Sequence, residues 1–217
     1  MRNTAINKEV QSSLSPSDVL QDLLDGNNRY TNNELEKVAH LDLVKQTISG
    51  QFPKAVVLSC IDSRVPVEQV FDQSVGDIFV ARVAGNFENT DILGSLEYSC
   101  AVAGSKLVLV LGHESCGAVK AACDGVELGN ITALLDNILP AVKEAALDFP
   151  DDVDSSNKDF VAKTVEQNVL LTIERIREKS PILKDLEDKG DIKIVGGVYS
   201  FSCRIYHFWQ SIHISRL

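Results

Sequence analysis

No stretch of this 217-residue sequence approaches the roughly 18 to 20 consecutive apolar residues that a membrane-spanning helix needs. Its opening, Met1 to Val10, is polar where a secretory signal would carry an apolar core, so the expected location is the cytoplasm. An excess of positive charge is also missing: Lys and Arg total 21 against 31 Asp and Glu, a net charge of -10 at pH 7. Phosphate-rich surfaces repel such a chain, which argues against nucleic acid or an anionic membrane as partner and for a small molecule. There is no Gly-x-Gly-x-x-Gly after the first strand-like run and no phosphate-loop lysine, so nucleotide binding has little support. The five cysteines are odd in number and scattered, which disfavours a closed disulfide framework and favours free thiols or metal ligands. Internal repeats and low-complexity tracts are absent as well.

What is present reads as one well-buried domain, with 44% apolar and 24% charged residues. Ser15-Pro16-Ser17-Asp18 supplies capping residues and an early Pro ahead of Val19, Leu20, Leu23 and Leu24 at helical spacing. A second amphipathic stretch runs from about His40 to Ile48. Together they predict an N-terminal helical arm over residues 1–50, which either packs on its own domain or reaches to a partner subunit. Four short apolar runs follow, at Ala55 to Ser59, Ile78 to Val83, Leu107 to Leu111 and Ile192 to Val195. They are nearly continuous rather than alternating, as expected for strands buried on both faces. Helical patterns separate them: Asp91 to Ala103, with Ile92, Leu93, Leu96 and Val102 on one side, then Ile131 to Ala146 and Phe160 to Lys179. The acidic segment Asp148 to Asp159 reads as a solvated loop. Strands interleaved with helices predict an α/β fold with a mainly parallel central sheet flanked by helices.

Cys60-Ile61-Asp62-Ser63-Arg64 begins where one of these strands ends, and Gly112-His113-Glu114-Ser115-Cys116-Gly117 where another ends. Open α/β sheets place their ligand sites beyond the carboxyl ends of the strands, so both motifs should emerge on one rim. Two thiolates and one imidazole, Cys60, Cys116 and His113, suit tetrahedral zinc and leave a fourth position open, as in catalytic rather than structural sites. Either half alone is weak, since a lone Cys at a strand end is commonly a small buried hydrophobe. Gly112 and Gly117, bracketing the His-x-x-Cys at a strand-to-helix turn, strengthen the ligand reading. Asp62 and Arg64 could be a mere surface ion pair. Beside a metal, the Arg64 fork could instead hold the Asp62 carboxylate while it accepts a hydrogen bond from metal-bound water. Asp62 is also close enough to become a fourth ligand.

The Cys-x-Asp-Ser-Arg and Gly-His-x-x-Cys-Gly motifs and their separation resemble those of the β-class carbonic anhydrases, with similarity from about Ser15 to Tyr199. The resemblance implies a lyase that reversibly hydrates carbon dioxide to bicarbonate and a proton, through hydroxide generated at one zinc ion per subunit. It implies the zinc ligands Cys60, His113 and Cys116, with Asp62 and Arg64 as an orienting dyad and Asp62 as conditional fourth ligand. The family's amide donor to substrate, nine residues before the first cysteine, falls on Gln51, and its pocket-lining residues on Phe79, Ala84, Tyr98 and Gly117, with alanine in place of a more usual valine. For Phe79 and Tyr98 core packing is the competing reading. In the family the glutamine comes from a neighbouring subunit, so the resemblance implies a homodimer or a tetramer built of dimers, and an inactive monomer. Val57 stands where a subtype with aspartate on the zinc carries tryptophan, which implies the water-accessible form; Arg82 is shared by both subtypes.

The family-like core is thus expected over 51–199, with an atypical C-terminal segment over 200–217. There Tyr199-Ser200-Phe201-Ser202-Cys203-Arg204 lacks the family's turn glycine, and Cys203 reads as a free thiol. His40, His207 and His213 read as ordinary residues, with no proton shuttle assigned. Two rivals remain: a hydrolase of a related cumulated substrate such as carbon disulfide, and a noncatalytic zinc module that Asp62 closes permanently.

Overall fold

The computed structural model describes residues 3–149, 151 and 153–201, together with the backbone of 206–209. An arm of three helices, α1 (Lys8–Ser13), α2 (Pro16–Thr31) and α3 (His40–Gln46), leads into strand β1 (Ala55–Ser59). Then come α4 (Val67–Val70), β2 (Ile78–Arg82), α5 (Thr90–Glu97) and β3 (Leu107–His113). Helices α6 (Gly117–Cys123), α7 (Asn130–Leu135), α8 (Leu139–Ala145), α9 (Lys158–Lys179) and α10 (Pro181–Asp188) precede β4 (Lys193–Tyr199) and β5 (Tyr206–Trp209). The strands form one sheet in the order β2-β1-β3-β4-β5, parallel except for β5. This is the α/β arrangement the apolar runs predict. Among the described residues, no helix is long and apolar enough to cross a membrane.

Every residue of β1 and β3 is buried, because each strand is covered on both faces. Val57, Leu109 and Leu111 turn towards Val19, Leu20 and Leu23 of α2, so the arm packs on its own domain. Its start follows from sequence: the Ser15 hydroxyl accepts from the Asp18 N–H, the Asp18 carboxylate accepts from the Ser15 N–H, and Pro16 opens the first turn. On the other face Val56, Leu58, Val108 and Val110 meet Val169, Ile173 and Ile176 of α9.

Helix α9 approaches the sheet most closely over glycine. A Cβ on Gly196 would stand 2.5 Å from Val169 Cγ1 and 2.7 Å from Ile173 Cδ1, and one on Gly112 would stand 2.8 Å from Val169 Cγ2. Gly112 therefore serves strand-to-helix packing inside β3 rather than the turn the sequence suggested. Gly196→Ala should lower stability by about 1–3 kcal/mol through overpacking, a fall in Tm of roughly 3–10 °C. Thermal denaturation that left Tm unmoved would contradict so close an approach of α9.

Two expectations need correction. The single helix over 131–146 is two, α7 and α8, because Pro140 lacks an N–H and its ring clashes with a preceding turn, so it sits at the start of α8. The helix expected over 91–103 ends regularly at Glu97 and continues as a π-helical turn, Tyr98–Val102, which leaves Val102 71% exposed instead of on the apolar side. Helices α1 and α10 add to the expected set: Asn7 and Ser180 cap them, and α10 is amphipathic, with Leu183 buried. Of the segment 200–217, only Ser200, Phe201 and the β5 backbone are described; Cys203 and His213 lie outside the described residues.

Candidate metal centre and active site

Parallel pairing sets the two motifs side by side. Ser59 at the end of β1 is in register with Leu111 of β3, so Cys60 leaves one strand next to the point where His113 ends the other. After His113 the chain reverses through Ser115, whose φ of 54° lies in the left-handed region and returns Cys116 towards Cys60. The metal-binding atoms of Cys60, His113 and Cys116 all lie within 4.8 Å of one another, and all three residues are buried.

The donor set fits a tetrahedral zinc ion. Two sulfurs each about 2.3 Å from one tetrahedral ion stand about 3.8 Å apart. Here the Cys60 and Cys116 sulfurs are 3.9 Å apart. His113 Nδ1 is 2.9 Å from the Glu114 carbonyl, which fixes the tautomer with Nδ1 donating. That leaves Nε2 buried without a hydrogen-bond partner, aimed into the cluster. A ring nitrogen so placed is costly unless something takes its lone pair.

Their contact shifts the two thiols in opposite directions. Cys60 is pushed down to about 4, first by its hydrogen bond with Cys116 and also by His113 and the N–H of Gly85, against the cost of burial. Cys116 is pushed well up by the same Cys60 contact and by burial. A divalent cation removes this conflict by taking both as thiolates. Cys100 offers the contrast: burial alone pushes its thiol up to about 12, and it has no role at the site.

Beside the trio lies the dyad. Arg64 donates from Nε to Asp62 Oδ1 at 2.9 Å and from Nη2 to Oδ2 at 2.7 Å, and its backbone N–H adds a third bond to Oδ1. This fork holds the Asp62 carboxyl well below the usual carboxylate range. Oδ2 is the oxygen nearer the trio, 3.8 Å from His113 Nε2. With both oxygens engaged by Arg64, the carboxylate borders the cluster without entering it.

Other residues at the site carried little or no sequence signal. Arg82 donates to the carbonyls of Cys60 and Asp62, at 2.8 and 2.7 Å, and so fixes the loop that bears ligand and dyad. The Gly85 N–H reaches Cys60 Sγ at 3.4 Å, with Gly85 at φ 81° and a Cβ there 2.5 Å from Ile138 Cδ1. That only glycine fits explains how backbone comes to solvate a thiolate there. Phe201 lies against Arg64 and His113.

The expected pocket divides. Ala84 adjoins Gly85 beside the cluster, and Gly117 opens α6 just after Cys116, where an added Cβ would meet nothing. Phe79 and Tyr98 are elsewhere in this chain. Their rings lie 6.3 Å apart across the edge strand β2, in an open groove of about 600 Å³ lined by none of the trio. Phe79 is in register with Val56, four residues before Cys60, or about 13 Å along the strand. Gln51 is exposed and precedes β1, at the opposite end of that strand from Cys60.

Comparison with known proteins agrees with this geometry. A family model described as carbonic anhydrase matches residues 55–203. A carbonic anhydrase 2 of Mycobacterium tuberculosis is 35% identical over 70% of this chain and 72% of its own length. A carbonic anhydrase of Mycolicibacterium smegmatis is 32% identical over 82% and 85%. Among solved structures, one of two tetrameric β-carbonic anhydrases from the ascomycete Sordaria macrospora superposes with a TM-score of 0.70 at 22% identity, over 89% of this chain and 98% of that one. A match over most of the parallel sheet, joined to a Cys-His-Cys cluster at its carboxyl rim, leaves one conclusion: this chain belongs to the β-carbonic anhydrase family.

Proposed function

We propose that this member of the family hydrates carbon dioxide reversibly to bicarbonate and a proton at a zinc ion held by Cys60, His113 and Cys116. The observation that carries the metal reading is the buried, partnerless His113 Nε2 facing two sulfurs at tetrahedral separation. Zinc bound there supplies a Lewis acid that lowers the pKa of a coordinated water from about 15.7 towards 7, less fully where two thiolates offset its charge.

The chain's own groups do the rest. Asp62 stays ionised under the Arg64 fork, so Oδ2 can only accept a hydrogen bond and orients the reacting water by its proton. Arg82 and the Gly85 N–H keep the Cys60 loop from shifting beneath it. Ala84 and the bare backbone of Gly117 leave room for a small linear substrate.

Asp62→Asn tests the orienting role. The amide preserves size but loses the charge that Arg64 grips and presents a donor as well as an acceptor. Zinc content should persist while kcat falls roughly tenfold to a hundredfold. Stopped-flow hydration at full metal occupancy and undiminished kcat would reject the assignment.

What one chain lacks at its cluster supports an oligomer. Gln51, Phe79 and Tyr98 suit a substrate pocket, yet lie away from the metal ligands of their own chain. A second copy across the β2 edge would bring them to the facing cluster, and the tetrameric Sordaria relative supports assembly of this kind.

A further inference from the structure

We propose that Phe201 is a positioning residue, whose ring holds the Arg64 guanidinium in the orientation that clasps Asp62. The proposal rests on the reading of Asp62 as the group that orients the reacting water.

The Arg64 side chain is 55% exposed, and an exposed arginine paired with one carboxylate is ordinarily free to exchange that contact for water. Here the guanidinium is held by two separate contacts. Its Nε and Nη2 donate to the two Asp62 oxygens, while its Cζ lies over the Phe201 ring, 4.3 Å from the centroid. The bonds to Asp62 alone leave the exposed side chain able to exchange them for water; a ring packed over Cζ opposes that departure.

Phe201 is itself fixed. Its backbone N–H donates to Glu114 Oε2 at 2.8 Å, and the Glu114 N–H donates to the Tyr199 carbonyl at 2.9 Å. Glu114 thus ties the His113 loop to the segment that carries Phe201. The ring stands edge-on to Tyr199, with centroids 5.3 Å apart, and 5.7 Å from the His113 ring. The Tyr199 hydroxyl in turn meets that of Tyr30 on α2, 3.1 Å away. The dyad is therefore braced by the end of β4 and, behind it, by the N-terminal arm.

The test uses the metal-loaded protein with 15N-labelled arginine, the Arg64 Nε–H signal being identified by its absence in Arg64→Lys. In the wild type this signal should be shifted upfield by the ring and protected from exchange with water. In Phe201→Leu the ring shift should vanish, exchange should quicken and kcat should fall, the latter two about two- to fivefold, with KM and zinc content held. Phe201→Tyr, which keeps a ring, should restore both. A folded Phe201→Leu whose Arg64 Nε–H exchanges as slowly as in the wild type would overturn the proposal. If that variant does not fold, Glu114→Ala, which releases the backbone anchor, must quicken the same exchange, and unchanged exchange there overturns it equally. A wild type that binds zinc without hydrating carbon dioxide would instead defeat the reading of Asp62, while the exchange comparison would still decide what holds Arg64.

Discussion

Cys116→Ala should lose both its zinc and essentially all carbon dioxide hydration, a fall of at least about a thousandfold in kcat/KM once the coordinated nucleophile is gone. The size of the effect follows from the donor count. Three protein ligands are the minimum for a catalytic zinc site, and the described cluster contains three. Removing Cys116 leaves Cys60 and His113 of the cluster, and Asp62, whose Oδ2 is 3.8 Å from His113 Nε2, would have to turn from its Arg64 fork to join them. The fold should survive. The substitution removes one buried sulfur from the cluster that holds Val119 and Ile138, a small change in volume. Metal analysis and stopped-flow assay on the same sample, with circular dichroism as control, separate loss of metal from loss of structure. A metal-free variant that still hydrates carbon dioxide would remove zinc from the mechanism.

Much of this site is legible in the sequence because parallel strands convert sequence separation into adjacency. Ala55 to Ser59 and Leu107 to Leu111 are continuous apolar runs, and such runs belong to central strands whose carboxyl ends share a rim. Motifs starting directly after each had to meet there. The side on which each residue faced was harder to read. Sequence alone does not say that Phe79 and Tyr98 stand away from their own chain's cluster: Phe79 lies three positions before the end of β2, well down the strand, and Tyr98 opens a π-helical turn. Gly112 reads as a turn residue because glycine signals turns more often than close packing; only the nearness of Val169 reveals its role. Phe201 gave no signal, since its partners Arg64 and Glu114 are distant in sequence and a single aromatic has no periodicity. The break before Pro140 was legible from proline chemistry and should have divided α7 from α8.

The separation of Gln51 from its own chain's cluster leads to the second large effect. Gln51 comes before β1 and Cys60 after it, and five extended residues alone span about 16 Å, so one chain does not bring them together without abandoning its central strand. If Gln51 donates to the developing negative charge on substrate, it must do so in another copy, and Gln51→Ala should cost about a hundred- to a thousandfold in kcat/KM with zinc retained. Assembly then makes a sharper prediction. Gln51→Ala and Cys116→Ala should each be nearly inactive alone, yet co-expressed they should recover activity. In a mixed dimer, the intact Cys60-His113-Cys116 cluster of the Gln51→Ala subunit meets the intact Gln51 of the Cys116→Ala subunit, giving one complete site, while the other carries both defects. Random pairing makes half the dimers mixed, so the recovered rate should approach about a quarter of the wild-type value. Gain of activity on mixing cannot arise from two defects confined to separate, self-sufficient subunits. Mixed dimers, verified by differential tags, that stay as inactive as their parents would show that Gln51 does not serve the neighbouring cluster, and would return the substrate pocket to residues of a single chain.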